Sequence, residues 1–178
     1  MKKTNHSNVL EVKDLNVEFS TYGGTVKAVR GVSYNVRKGK TLGVVGESGC
    51  GKSVTVQAIL QLIPMPPGRI TSGSAKLNGK EMIGMSAKDI NTIRGREIGV
   101  IFQDPMSSLN PTMKIGKQIA ETVKVHQHVS NEEAMQKAVA LLEKTKIPEA
   151  AKRARQYPFE FSGGMLQRAI IAMSLACD

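Results

Sequence analysis

The sequence has no tryptophan, and aromatic residues make up only 4% of its 178 positions. Its formal charge of +10 therefore comes without the interleaved rings on which single strands stack, and its basic residues are scattered along the chain, so no nucleic-acid groove is expected. A solvated basic surface accounts for the charge. Cysteine is scarce: Cys50 and Cys177 form no C-x-x-C pair, which fits a reducing cytoplasm. No run of eighteen apolar residues exists, which excludes a membrane-spanning helix. The opening Met1-Lys2-Lys3-Thr4-Asn5-His6 is polar and lacks the apolar segment of a signal peptide, so the chain is expected to stay where it is made. His126 and His128 stand two apart in a helical stretch, face different ways and make a poor metal pair.

Glycine is well represented, and eight residues concentrate its use. Gly46-Glu47-Ser48-Gly49-Cys50-Gly51-Lys52-Ser53 fits the spacing G-x-x-x-x-G-K-[ST]. Ahead of it, residues 40–45 read as a short buried parallel strand entered from a Lys38-Gly39 turn. Behind it, Thr55, Ala58, Ile59 and Leu62 recur at helical spacing until Pro64. Strand, glycine loop and helix in that order make a phosphate loop, which runs on to Val54. Unpaired N–H groups and the dipole at a helix N-terminus hold an anion, and glycine lets the backbone approach it closely. Lys52 is placed to reach the β- and γ-phosphates, and the Ser53 hydroxyl to ligate Mg²⁺.

Upstream, residues 9–19 alternate as a half-exposed strand bent near Asp14 and Asn16. Tyr22-Gly23-Gly24 is a turn, and residues 27–36 form a second strand pairing antiparallel with the first. Tyr22 offers a flat ring on that turn. Downstream, residues 73–77 read as a strand closed by Asn78-Gly79, and residues 98–102 as a core strand delivering Gln103 at its C-terminal end. Strand signals then stop. Ile115, Ile119 and Val123 mark one helix, and Ser130-Asn131-Glu132-Glu133 matches a capping box opening another. Ser162-Gly163-Gly164-Met165 begins a buried helix and makes a second candidate anion-binding N-terminus.

Taken together, residues 46–53, Val100-Ile101-Phe102-Gln103-Asp104-Pro105 and Phe161-Ser162-Gly163-Gly164-Met165 resemble the Walker A, Q-loop and signature motifs of ATP-binding cassette (ABC) ATPases. The flanking strings, Met106-Ser107-Ser108-Leu109-Asn110-Pro111 and Tyr157-Pro158-Phe159-Glu160, are similar to those of ATP-binding subunits of dipeptide, oligopeptide and nickel importers. The resemblance implies an α/β fold: a P-loop NTPase core with an N-terminal antiparallel β-subdomain and a helical subdomain, divided as residues 1–108, 109–160 and 161–178. It implies ATP and Mg²⁺ as cofactors, and hydrolysis coupled to import of peptides or a similar small solute. Tyr22 becomes the adenine-stacking residue, Lys52 and Gln103 the groups at the reacting phosphate, with Gln103 near the Mg²⁺ that Ser53 holds. Ser162, Gly163, Gly164 and Met165 close over ATP bound to the other subunit of a head-to-tail dimer.

The implied partners are a second ATPase subunit, identical or paralogous, permease subunits on which the helical insertion docks, and indirectly an extracytoplasmic solute-binding protein. The implied location is the cytoplasmic face of the membrane, held peripherally. Two departures stand out. The family has a basic residue where Leu166 stands and His-Glu-Leu where Phe159-Glu160-Phe161 stands. Its Walker B aspartate, catalytic glutamate, D-loop and switch histidine have no counterparts in the 178 residues, so the C-terminal core strands are missing from the expected fold. Poor hydrolysis, marginal stability and a tendency to associate are expected of such a chain. Two other readings stand beside the importer: a non-hydrolysing module completing a partner's nucleotide site, and a cassette ATPase that serves no transporter.

Overall fold

The computed structural model describes residues 8–177. The chain divides after Ile90 into two compact units. The first contains strands β1 (Asn8–Thr21) and β2 (Gly24–Arg37), helix α1 (Lys52–Ile59), and strands β3 (Gly68–Leu77) and β4 (Lys80–Glu81). Every pairing is antiparallel, in the order β2-β1-β3-β4. Val12, Leu15 and Val17 of β1 are buried, as period-2 patterning requires once the strand is allowed a kink. That kink sits where Asp14 takes φ 46° and the β1–β2 register shifts between Val12 and Leu15. Asn78 and Gly79, with φ 48° and 85°, close the β3–β4 hairpin as their sequence signals.

A second irregularity lies further along the hairpin. Val17 pairs with Val29, and the next residue of β1, Glu18, pairs with Lys27, so Ala28 is left without an opposite number. This is a β-bulge. β2 carries a further extra residue between Val29 and Val32, which pair with Val17 and Leu15, so strict alternation does not hold along this stretch; Lys27 and Arg30 are exposed while Val29 is buried.

α1 buries Thr55, Ala58 and Ile59. It ends earlier than the spacing through Leu62 implies, because Gln61 takes a left-handed φ of 52° and Leu62 N–H turns back to the Gln57 carbonyl at 2.8 Å. α2 (Ala87–Ile93) spans the division between the units.

The second unit is helical: α3 (Pro105–Ser108), α4 (Ile115–Gln127), α5 (Asn131–Lys144), α6 (Ala150–Arg153) and α7 (Gly163–Ser174), with 3-10 turns at Pro158–Glu160 and Leu175–Cys177. Ile115, Ile119 and Val123 of α4 enclose one core with Ala138 and Leu142 of α5 and Leu166, Ala169 and Ile170 of α7. Ser130 caps α5 by accepting from Glu133 N–H at 3.2 Å, as the capping pattern requires. α4 has no side-chain cap. Its first N–H groups instead reach the turn after α6, Ile115 to the Gln156 carbonyl and Gly116 to the Ala154 carbonyl, both at 2.9 Å. The approach is so close that a Cβ on Gly116 would stand 2.7 Å from both Cβ and O of Ala154.

Two expected strands are not formed. Residues 40–45 are irregular and exposed, with Val44 at 60% and Val45 at 96% of full exposure. Residues 99–102 are irregular too, Ile98 making only an isolated parallel bridge with Arg94. Both segments are apolar enough for a buried parallel strand. Such a strand owes its conformation to hydrogen-bonded neighbours on its two edges, and among the described residues none pairs with either segment.

Glu81 anchors the short β4. Its carboxylate accepts from Ser74 Oγ, from Ala75 N–H at 2.8 Å and from Ile83 N–H at 3.1 Å. Partial burial works to raise this carboxyl, but the three hydrogen bonds and the Lys76 charge outweigh it and hold it below its ordinary value. A carboxyl depressed in the folded state stabilises the fold above its unfolded pKa and loses that contribution as pH falls through the folded one. Glu81→Gln is therefore expected to lower Tm at neutral pH, with the difference from the parent vanishing once pH has dropped below the carboxylate range; thermal melts across pH check it. In the helical unit, Gly116→Val is expected to destabilise by about 1–3 kcal/mol through overpacking against Ala154, measured by denaturant unfolding.

Candidate phosphate-binding site

The loop between residues 46 and 53 is built around the side chain that follows it. Lys52 Nζ donates to the Gly46 carbonyl at 2.7 Å and the Glu47 carbonyl at 2.6 Å, with Cys50 Sγ at 3.5 Å. Gly51 caps α1 in the left-handed region, φ 91°, and a Cβ there would collide with the Ala28 carbonyl oxygen. The loop thus rests on the β2 bulge at a point where only glycine fits. Thr55 ties the first turn down, its N–H and its Oγ1 both donating to the Gly51 carbonyl at 2.9 Å.

The helix start is left open. The N–H groups of Lys52, Ser53 and Val54 find no acceptor among the described residues, no side chain caps the helix, and the Ser53 hydroxyl is exposed. Unpaired N–H groups, the dipole of α1 and an ammonium held by neutral carbonyls together favour an anion with several oxygens. An open hollow of about 470 Å³ adjoins the loop, walled by Gly49, Cys50 and Thr55 on one side and by β2 on the other. The charged residues of its wall are Lys27 and Arg30. Spacing alone singled out residues 46–53 but not these two, because the loop pattern does not reach β2 and only the folded arrangement brings that strand to the hollow.

Tyr22 sits on the β1–β2 turn with its ring fully exposed, and it is not part of the wall of that hollow. Gln103 belongs to the second unit. It is exposed at the foot of α3, and the Asp104 beside it is taken up in capping, accepting from Met106 N–H at 3.0 Å. Gln103 itself makes no hydrogen bond to another described residue, so its amide is free.

Ser162 caps α7, accepting from Met165 N–H at 3.4 Å. Gly163 and Gly164 are exposed, and a Cβ added at either would meet nothing. Met165 packs half-buried against the helical core, and Leu166 is buried in it. A leucine where a basic side chain was expected is thus explained by its position on the inward face of α7. The two glycines keep the backbone at the start of α7 bare toward solvent.

Comparison with known proteins agrees with this geometry. Residues 29–178 match the family described as ABC transporter. The chain is 56% identical over 170 residues to the oligopeptide transport ATP-binding protein OppD of Bacillus subtilis, covering 96% of this chain and 48% of that protein. It is 47% identical over 170 residues to the dipeptide transport ATP-binding protein DppD of the same organism, covering 96% of this chain and 51% of the relative. The chain therefore spans about half the length of these relatives. Among solved structures, a dimeric ATP-binding cassette in a post-hydrolysis state bound to ADP and Pi superimposes with a TM-score of 0.82 at 24% identity, over 94% of this chain and 69% of that one. That likeness establishes the cassette fold. The chain belongs to the ABC transporter family.

Proposed function

We propose that this chain is the nucleotide-binding portion of an ATPase subunit that powers import of peptides or a similar small solute. The observation that carries the reading is the loop closed on Lys52, with three unpaired N–H groups above it at the start of α1. The oligopeptide and dipeptide relatives support the solute class. In this reading ATP lies with its phosphates on residues 46–54, and Lys52 exchanges its two carbonyl partners for phosphate oxygens. Tyr22, free of any packing role, stacks on the adenine. The exposed Ser53 hydroxyl and the free Gln103 amide are oxygen donors of the kind Mg²⁺ takes, and the ion would supply charge neutralisation at the transferring phosphate.

Ser162 to Met165 serve a second subunit, identical or paralogous. The bare Gly163-Gly164 backbone supports a role at a surface, where it closes over nucleotide held by the partner. Binding energy from the shared nucleotide favours the closed dimer, and hydrolysis reopens it. Residues 109–160 act as the helical subdomain between a core of residues 1–108 and the signature segment at 161–178. They dock on permease subunits at the cytoplasmic face of the membrane, with an extracytoplasmic solute-binding protein acting on the far side. Among the described residues no helix is long and apolar enough to cross a membrane.

Two experiments test the proposal. Lys52→Ala is expected to weaken Mg-ATP binding by about a hundredfold, the loss of two charge-assisted hydrogen bonds, as read by calorimetric titration; unchanged affinity removes the phosphate-loop assignment. The 178-residue chain is expected to bind nucleotide yet to turn it over near background in single-turnover assays, since it lacks acidic counterparts to position Mg²⁺ and water. Hydrolysis at ordinary cassette rates overturns the assigned division of labour. Binding without hydrolysis, with turnover appearing on mixing with a competent partner, favours a module that completes the partner's site.

A further inference from the structure

The nucleotide site has a second wall that the phosphate-loop pattern does not contain. The Ala28 carbonyl of β2 lies against Gly51, and Lys27 and Arg30 flank that point along the strand. Both side chains are exposed and both border the hollow beside Gly49 and Cys50. Among the described residues no carboxylate stands within salt-bridge distance of either. Arg30 spends only its Nε, in a 3.3 Å bond to the Lys27 carbonyl, which leaves the outer edge of the guanidinium free to meet oxygens. Val26 and Val32 supply apolar area in the same hollow.

Resting on the nucleotide reading above, we propose that Lys27 and Arg30 form a positive clamp on the α-phosphate end of the bound nucleotide, opposite the phosphate loop. The loop serves the β- and γ-phosphates through Lys52 and the N–H groups of α1. Lys27 lies on the Tyr22 side of Ala28 and Arg30 on the other, so the two cations flank the point at which the loop rests on β2. Contributions from exposed charges of this kind are modest singly and sensitive to salt.

The test compares Lys27→Gln/Arg30→Gln with the parent chain, using ATP, ADP, AMP and adenosine as probes at low and at high salt. Both residues lie on the surface, and an unchanged Tm shows the sheet to be intact. The double variant is expected to bind ATP, ADP and AMP about tenfold more weakly at low salt, with the deficit shrinking at high salt and adenosine unaffected. Lys27→Arg/Arg30→Lys, which keeps both charges, is expected to restore most of the affinity. Parent-like affinity of the double glutamine variant for AMP and ATP overturns the clamp while leaving the phosphate loop standing, provided Lys52→Ala still loses binding. A deficit that extends equally to adenosine also overturns it, since the residues then act on the nucleoside or on the fold.

Discussion

One ammonium group keeps residues 46–52 in the shape of a loop. Lys52 Nζ donates to the Gly46 and Glu47 carbonyls, so the loop is held open by its own cation. Without that pair of bonds the octet has little to fix it. Residues 41–50 are exposed throughout, and the glycines contribute conformational freedom in place of packing. The opposite end of the loop is fixed sterically, with Gly51 pressed on the Ala28 carbonyl. One electrostatic tie and one steric contact hold the loop in place and leave the first N–H groups of α1 open.

The helical unit solves the termini of its own helices by different means at each site. α5 and α7 begin with serine caps, whose hydroxyls satisfy an N–H from within the same turn. α4 borrows backbone carbonyls from a segment some forty residues later in the chain. The borrowed cap makes α4 depend on the turn after α6, and Gly116 makes that dependence tight. The Ser162 cap does further service: with Gly163 and Gly164 bare, it presents an ordered but unobstructed helix start to whatever approaches it.

Local rules read the antiparallel sheet, its hairpin turns, the serine caps and the glycine loop ahead of α1 from the residues involved, because each depends on chemistry within a few positions. Asn78-Gly79 demands its turn, Ser130 its cap and Gly51 its left-handed φ. The Ala28 bulge escaped them, since it arises from how Glu18 and Val17 choose partners across the hairpin. Residues 40–45 and 98–102 failed in the opposite sense. Their composition is that of buried strand, but conformation there is dictated by neighbouring strands. Leu166 gives a third case: the motif pattern calls for charge, and the inward face of α7 accepts an aliphatic side chain.

The bare stretch around Leu42, Val44 and Val45 has a bearing on handling the protein. Unsatisfied backbone groups beside exposed aliphatic side chains form a template for pairing between molecules, the geometry from which amorphous and fibrillar aggregates both start. Charge is what restrains it. Lys38 and Lys40 precede the stretch, a gatekeeper pair whose repulsion between copies fades as ionic strength rises. Raising the salt is thus expected to lower the solubility of this chain, through two side chains that lie outside both the glycine loop and the helical core.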